Sequence, residues 1–233
     1  EIYSRSGDST AAIKRYDSAI EKLRTLKDDI GLAQAFTSLG AHHKRALSYP
    51  KAAQSFEAAA AIHVRKSVFK KSDRRLVSWA KRNLSNLGNL YMNQLANTSK
   101  ARVVYRQLLE YARTPNERLS PMLALVRVAR REGDFRTAAK LALEARAFAK
   151  EHENREQELE AIIEGANVAW YQGDYVRGLQ LCRMSLSVAD ENLARAKAKK
   201  GAKLKRHVKR KIFSLSVCGL LYMSTCDFVS AKS

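Results

Sequence analysis

An all-α fold, a right-handed superhelical solenoid of antiparallel helix pairs, is what this 233-residue sequence predicts, and three observations predict it. First, three prolines and ten glycines are few against 45% apolar and 28% charged residues, a balance that suits long helices better than strands and turns. Second, small and aromatic residues recur at helical spacing after several similar turns. Third, Pro50, Pro115 and Pro121 fall at expected helix starts or connections, where a missing amide hydrogen is harmless. The apolar content is enough to bury a core, which excludes disorder, and the scarcity of proline and glycine excludes collagen-like, mucin-like and all-β classes.

The elements follow in order along the chain. Periodicity predicts helices over residues 1–5, 9–27, 31–46, 50–70, 74–95, 98–112, 117–132, 135–152, 155–172, 175–200 and 206–225, with a further one beginning beyond them. Gly7-Asp8, Gly133-Asp134-Phe135 and Gly173-Asp174-Tyr175 are one recurring turn. The residues at +5, +9 and +12 after each glycine correspond: Ala12, Tyr16, Ala19; Ala138, Ala142, Ala145; Gly178, Cys182, Ser185. Ahead of the later two turns stand Leu125 and Gly165, and the same slot returns in Leu39-Gly40 and Leu87-Gly88. Leu39-Gly40 leads to Ala52, Phe56 and Ala59, and Leu87-Gly88-Asn89-Leu90-Tyr91 leads to Ala101 and Tyr105.

These residues resemble the tetratricopeptide repeat (TPR) family, whose helix-turn-helix unit sets a Leu-Gly pair in its first helix, Gly-Asp-Tyr in its turn and Ala-x-x-x-Tyr/Phe-x-x-Ala in its second. Small residues at those slots let helices approach closely, and the aromatic fills the gap between them. The second-helix slot recurs at Ala12, Ala52, Ala101, Ala138, Gly178 and Ala231, in steps of 40, 49, 37, 40 and 53 residues, mostly longer than the usual ~34. That resembles the long, roughly 40-residue variety of the repeat. The resemblance implies a single solenoid over 1–233 with about five units, cut mid-unit at both ends: the first unit enters at Tyr3 and the sixth stops at Ser233.

Charge is concentrated. The chain carries 43 Lys+Arg against 23 Asp+Glu, a net charge of +20. The two oversized steps hold most of the excess, in basic insertions at 65–75 and 195–211. The second contains Arg195, Lys197, Lys199, Lys200, Lys203, Lys205, Arg206, Lys209, Arg210 and Lys211, with no acid among them. Like charges at helical spacing repel, and Gly201 weakens a helix further, so this segment is expected to fray until a polyanion offsets the repulsion. No aromatic is interleaved for base stacking, which favours phosphate or acidic-tail contact over sequence readout.

Chemistry is sparse. His42 and His43 are adjacent and so point about 100° apart on a helix, with no His-x-x-x-His pair to hold a metal. Glu151, Glu153, Glu156, Glu158, Glu160 and Glu164 read as a solvated acidic face. Cys182, Cys218 and Cys226 are an odd number without short paired spacing; they read as core residues in an intracellular reducing compartment, cytoplasmic, cytoskeletal or ciliary, or an organellar matrix. The longest uncharged run, 15 residues from Ile212 to Cys226, is too short and too polar to span a membrane. No phosphate loop, metal or cofactor is indicated, and no enzyme activity is expected.

In the family, ligands lie in the groove lined by the first helices. One subgroup clamps the free carboxylate of chaperone tails with Lys, Asn and Arg. The corresponding places here hold Thr37, Ala41, Asn86, Ser120 and Ala124, or, one unit on, Ser85, Asn89, Ala124, Glu160 and Glu164, so the clamp is absent. Asn86-Leu87-Gly88-Asn89 looks like the Asn-Leu-Gly-Asn signature of long-repeat adaptors, whose amides hold an extended peptide backbone. Arg82, Asn86, Asn89, Arg127, Arg130, Arg131 and Asn167 are therefore the expected partner-binding groove, with Trp170 and Tyr171 as either aromatic anchors or core. The function expected is a non-catalytic protein-interaction scaffold in a multi-subunit assembly. Its basic insertions would dock on RNA, as in a ribonucleoprotein, or on acidic tubulin tails, as in a ciliary or cytoskeletal complex. The alternative is a helical-repeat RNA-binding protein, although no recurring two-residue base code stands in the repeats.

Overall fold

The computed structural model describes residues 9–69, 74–198 and 204–230. The expected helix at 1–5 and the Gly7-Asp8 turn lie outside the described residues. Among those residues are ten α-helices and no strand: α1 (Ser9–Thr25), α2 (Asp29–Arg45), α3 (Tyr49–Phe69), α4 (Arg74–Asn93), α5 (Thr98–Tyr111), α6 (Pro115–Arg131), α7 (Phe135–Glu151), α8 (Arg155–Tyr171), α9 (Tyr175–Ala198) and α10 (Leu204–Ser230). They form two compact units, Glu1–Ala112 and Arg113–Ser233.

One turn joins most consecutive helices. A residue in the left-handed region ends the preceding helix: Lys27 (φ 54°), Leu47 (56°), Ala96 (49°), Gly133 (78°), Glu153 (52°) and Gly173 (73°). In five of these turns the following amide reaches the carbonyl five residues back, as Asp28 to Leu23 (3.0 Å) and Asp134 to Ala129 (3.0 Å), the Schellman pattern that satisfies helix-end carbonyls. The same following residue then caps the next helix. Asp28, Asn97, Asp134, Asn154 and Asp174 accept side-chain hydrogen bonds from the amides of Gly31, Lys100, Thr137, Gln157 and Arg177 at 2.9–3.1 Å.

In the first unit, neighbouring helices pack as antiparallel pairs through the small residues the repeat places there. Ala52, Ala59 and Ala101 are 0% exposed. Phe56 and Tyr105 fill the space in front of Gly40 and Gly88 so closely that a Cβ would stand 2.9 Å from the Phe56 ring and 2.6 Å from the Tyr105 ring. In the second unit Ala138, Ala142 and Ala145 of α7 pack against Val126, Ala129 and Leu123 of α6 and Val168 and Ala161 of α8. A further cluster unites Leu159, Ile162, Ile163 and Ala166 of α8 with Val188 and Ala189 of α9 and Val217 and Leu221 of α10.

Three expectations are corrected. Pro121 lies inside α6, seven residues in, because Thr114 caps that helix and Pro115 begins it two residues earlier than the periodicity implied. Pro121 cannot donate to the Glu117 carbonyl, and its ring is buried in the core instead. The last helix does not end at 225 with another beginning after it: no glycine or proline follows Gly219 before Ser230, and α10 runs unbroken to Ser230, while Ala231, the expected second-helix slot, lies outside the described residues. Finally, Cys182 of α9 and Cys218 of α10 form a disulfide, with Cα atoms 5.5 Å apart. Their separation of 36 residues carries no spacing signal, and it is the packing of α9 on α10 that brings them together. No helix among the described residues is long and apolar enough to cross a membrane.

Candidate protein-interaction groove

In the first unit, α4 carries three of the expected groove residues. Arg82 is exposed, Asn86 is half-buried without a hydrogen bond among the described residues, and exposed Asn89 accepts from the Tyr105 hydroxyl at 3.0 Å. The hydrogen-bonding amide of this helix is a residue the sequence reading passed over, Asn83, 0% exposed. Its Oδ1 accepts from Thr37 Oγ1 (3.1 Å), and its Nδ2 donates to His63 Nδ1 (2.9 Å), joining α2, α3 and α4. His63 is therefore a neutral imidazole protonated on Nε2, beside the Trp79 ring at 5.5 Å. Burial, with a smaller push from the Arg82 charge, lowers its pKa to about 4. The signal that could have found Asn83 is its register: it falls among the apolar positions Leu76, Val77, Ala80, Leu84 and Leu87 of α4.

In the same unit the Tyr91 hydroxyl donates to Glu57, and Lys100 stands 3.6 Å from that carboxylate. Burial and that hydrogen bond raise the Tyr91 pKa. His42 and His43 are both buried. Desolvation, with the charges of His42 and Lys51, lowers the His43 pKa.

In the second unit α6, α8 and α10 present their faces to one charged, partly apolar cavity of about 390 Å³. Its floor is Leu159 and Ile163, with Phe213 (55% exposed) at the edge; Arg127, Arg206, Lys209 and Arg210 surround it with Glu160 and Glu164. Glu156, Glu160 and Glu164 recur every four residues on α8, and arginines approach them from both sides. From α6, Arg127 Nη1 lies 3.2 Å from both Glu160 and Glu164, and Arg130 Nε lies 3.7 Å from Glu164. From α10, Arg206 reaches Glu156 (3.1 Å), and Arg210 reaches Glu156 (3.7 Å) and Glu160 (3.6 Å). Burial works against the charge of Arg127, but Glu164 and Glu160 outweigh it and raise its pKa. The expectation of a solvated acidic face is thus corrected for this helix. Glu158 and Glu164 are 3% and 7% exposed, and the glutamates are the seam between neighbouring first helices.

The remaining expected residues are placed as follows. Exposed Arg131 follows Arg130 on α6, and half-buried Asn167 lies on α8. Trp170 donates from Nε1 to Ser224 Oγ of α10 (2.9 Å), a structural contact, while Tyr171 stacks on Phe135 (5.9 Å) with the Arg130 guanidinium 5.1 Å from its ring centroid. Of the basic stretch, Arg195 and Lys197 are exposed on α9 and Lys209 is exposed on α10. Arg206 and Arg210 meet α8 glutamates, and Lys211 meets Asp190 of α9 at 2.5 Å. The absence of acids within 195–211 is made up from neighbouring helices. Lys199, Lys200 and Lys203 lie outside the described residues, and nothing is described of the Lys205 side chain.

The chain matches a crystal structure of the apo form of RapI with a TM-score of 0.61 at 13% identity, covering 92% of this chain and 80% of that one. It matches a Podosopora anserina putative kinesin light chain of nearly identical TPR-like repeats with a TM-score of 0.61 at 16% identity, and a single-substitution variant of that protein with the same score at 17%, each covering 85% of this chain and 92% of the other. The fold is that of TPR-like helical repeats. In those terms α2–α3, α4–α5, α6–α7 and α8–α9 are repeat pairs, and the cavity of the second unit lies on its first helices. No protein-family model matches the chain, and no curated protein matches its sequence. Among the described residues no cluster of His, Cys, Asp and Glu could hold a metal ion.

Proposed function

We propose that residues 1–233 act as one non-catalytic TPR scaffold of the long-repeat kind, which holds a segment of a protein partner against its first helices. The observation that carries this reading is the cavity of the second unit. An apolar floor of Leu159 and Ile163 lies beside exposed Phe213, under a rim with a surplus of cations. The partner segment it fits is acidic and carries an apolar side chain: the side chain fills the floor while the carboxylates approach Lys209 and Arg206, the more exposed rim cations. In the first unit the unpaired amide of Asn86, with Asn89 and Arg82, offers backbone hydrogen bonding to an extended segment. Arg195 and Lys197, with the rest of the basic stretch, add contact to an acidic surface of a larger assembly, whether RNA or an acidic protein tail.

The test is titration of the chain with a fluorescent peptide of alternating Glu and Leu, beside poly(A), poly(U) and poly(C) RNA, at two salt concentrations. Saturable peptide binding that weakens at least fivefold in Lys209→Ala and in Phe213→Ser, with the helical circular dichroism kept, is expected. Peptide binding indifferent to both substitutions would move the site elsewhere, and a base preference persisting at high salt would establish the RNA-reading alternative instead.

A further inference from the structure

Where α9 meets α10, a cysteine stands in the slot that the repeat elsewhere gives to an aromatic. In α3 and α5 that slot, four residues after Ala52 and Ala101, holds Phe56 and Tyr105, and each closes the gap in front of the glycine of its own pair, Gly40 or Gly88. In α9 the same slot, four residues after Gly178, holds Cys182, and its sulfur is bonded forward to Cys218 of α10. Cys218 follows Phe213 by five residues, about 7.5 Å along the helix axis. The bridge thus anchors the helix that gives the cavity Arg206, Lys209, Arg210 and Phe213.

The non-covalent hold on α10 is modest. Among its described side chains only Ser214, Val217, Cys218 and Leu221 are buried. Ser214 Oγ and His207 Nδ1 are shut away from water without a hydrogen-bond partner among the described residues, a desolvation that the docked helix leaves uncompensated. Arg206 meets Glu156, and Lys211 meets exposed Asp190, where solvent screens the attraction. Arg206, Lys209 and Arg210 lie one turn apart and repel one another. The firmer polar ties are Arg210, which donates to the Glu156 carbonyl, and the Trp170 to Ser224 hydrogen bond. The covalent bridge adds to these.

We infer that the Cys182–Cys218 bridge is a redox gate on the groove, an inference that rests on reading the cavity as the partner site. Oxidised, the bridge holds α10 in place as one wall. Reduced by a dithiol, it lets α10 part from α8 and α9 while the earlier helices of the unit stay folded, and the groove loses Arg206, Lys209, Arg210 and Phe213 together. In that step a thiolate of the dithiol attacks one cysteine sulfur, the S–S bond breaks, and its electron pair leaves on the other sulfur, which takes up a proton. The second thiol of the reagent then displaces the first cysteine from the mixed disulfide, so that two electrons pass to the chain and the reagent leaves as its own disulfide. An oxidised dithiol reverses the exchange. Cys182 and Cys218 are 2% and 4% exposed, so attack awaits an excursion of α10 away from α9. A partner lying across α8 and α10 opposes that excursion. By linkage it favours the closed bridge by the same factor by which reduction weakens the partner.

The probe is dithiothreitol, applied to the full chain carrying Cys226→Ser, so that the two thiols counted by alkylation and mass are those of the bridge. On reduction, hydrogen exchange of residues 206–221 should speed at least tenfold while that of α6, α7 and α8 is kept. Affinity for the fluorescent peptide of alternating Glu and Leu should fall at least fivefold and return with oxidised dithiothreitol. Cys218→Ala should bind as the reduced chain does in either buffer. In mixtures of reduced and oxidised dithiothreitol, saturating peptide should shift the equilibrium towards the bridge by the factor that separates the two affinities. Equal exchange of 206–221 in both states overturns the inference, as does failure of the two thiols to form the bridge in oxidised dithiothreitol. Loss of protection throughout the second unit also overturns it, since the bridge would then be a plain staple. Peptide bound equally by both states sinks the gate and leaves the groove reading standing. Peptide bound by neither, with 206–221 still faster in the reduced chain, sinks the groove reading and leaves the release of α10 standing.

Discussion

Replacing Gly88 by alanine and, separately, Gly219 by alanine places the same methyl group in two helices with nearly the same local sequence, and the structure predicts opposite signs. Alanine is favoured over glycine in a helix interior by about 0.8–1 kcal/mol. At Gly219 nothing opposes that gain, because a Cβ there has no neighbour within 4 Å, so the second unit gains about 0.5–1 kcal/mol. At Gly88 the Cβ would stand 2.6 Å and 2.9 Å from Cε1 and Cζ of Tyr105. That ring cannot swing away freely: it is 4% exposed and its hydroxyl is tied to Asn89 at 3.0 Å. Overpacking of this kind costs about 1–3 kcal/mol, leaving a net loss of about 1 kcal/mol and a gap between the two variants of about 2 kcal/mol. The two tryptophans make the assay unit-specific, since Trp79 lies on α4 and Trp170 on α8. Urea unfolding followed in Trp79→Phe and Trp170→Phe backgrounds reads each unit alone. Tyr105→Leu should relieve much of the Gly88→Ala penalty in a double-mutant cycle. Equal stabilisation by both alanines would refute the close α4–α5 packing.

Other outcomes follow from the same contacts. His63 titrates near 4 in the folded chain against 6.5 in an unfolded one, so the unfolded state takes up the proton first. The first unit then keeps full stability above pH 6.5 and loses up to about 3 kcal/mol as pH falls towards 4; His63→Gln should flatten that dependence in Trp79-detected unfolding. Glu164→Ala strips a 7%-exposed carboxylate from Arg127 and Arg130; since Arg127 keeps Glu160, the loss should be about 2 kcal/mol, read by Trp170. Opening the Cys182–Cys218 bridge with a dithiol frees a loop of 36 residues and should lower the stability of the second unit by about 2–4 kcal/mol, with Cys218→Ser insensitive to the reductant.

The helices were legible because each buries a stripe of small and aliphatic residues at 3.6-residue spacing, and the pairing was legible because Ala52, Ala101 and Ala138 recur in register with Phe56 and Tyr105. Turns were legible only where glycine marks them. Gly133 and Gly173 announce the left-handed residue, but Lys27, Leu47, Ala96 and Glu153 adopt the same conformation with a side chain, and Asp28, Asn97 and Asn154 behind them are the better marker. The candidate site was legible in its charges and not in its pairings. Arg127 and Arg130 stood out, yet their partners Glu160 and Glu164 belong to the next first helix, and only packing turns a spaced acidic row into an inter-helix seam. Likewise Thr37, His63 and Asn83 come from three helices, and the two cysteines meet across 36 residues, so neither arrangement leaves a local pattern.

Hydrogen–deuterium exchange of the whole chain, with and without a saturating acidic peptide carrying leucine, tests the central claim most directly. The account predicts added protection on the segments that face the cavity, residues 123–131 of α6, 156–164 of α8 and 206–213 of α10, reduced in Phe213→Ser. Protection confined to the second helices α7 and α9, or no change at all on peptide that demonstrably binds, would contradict it.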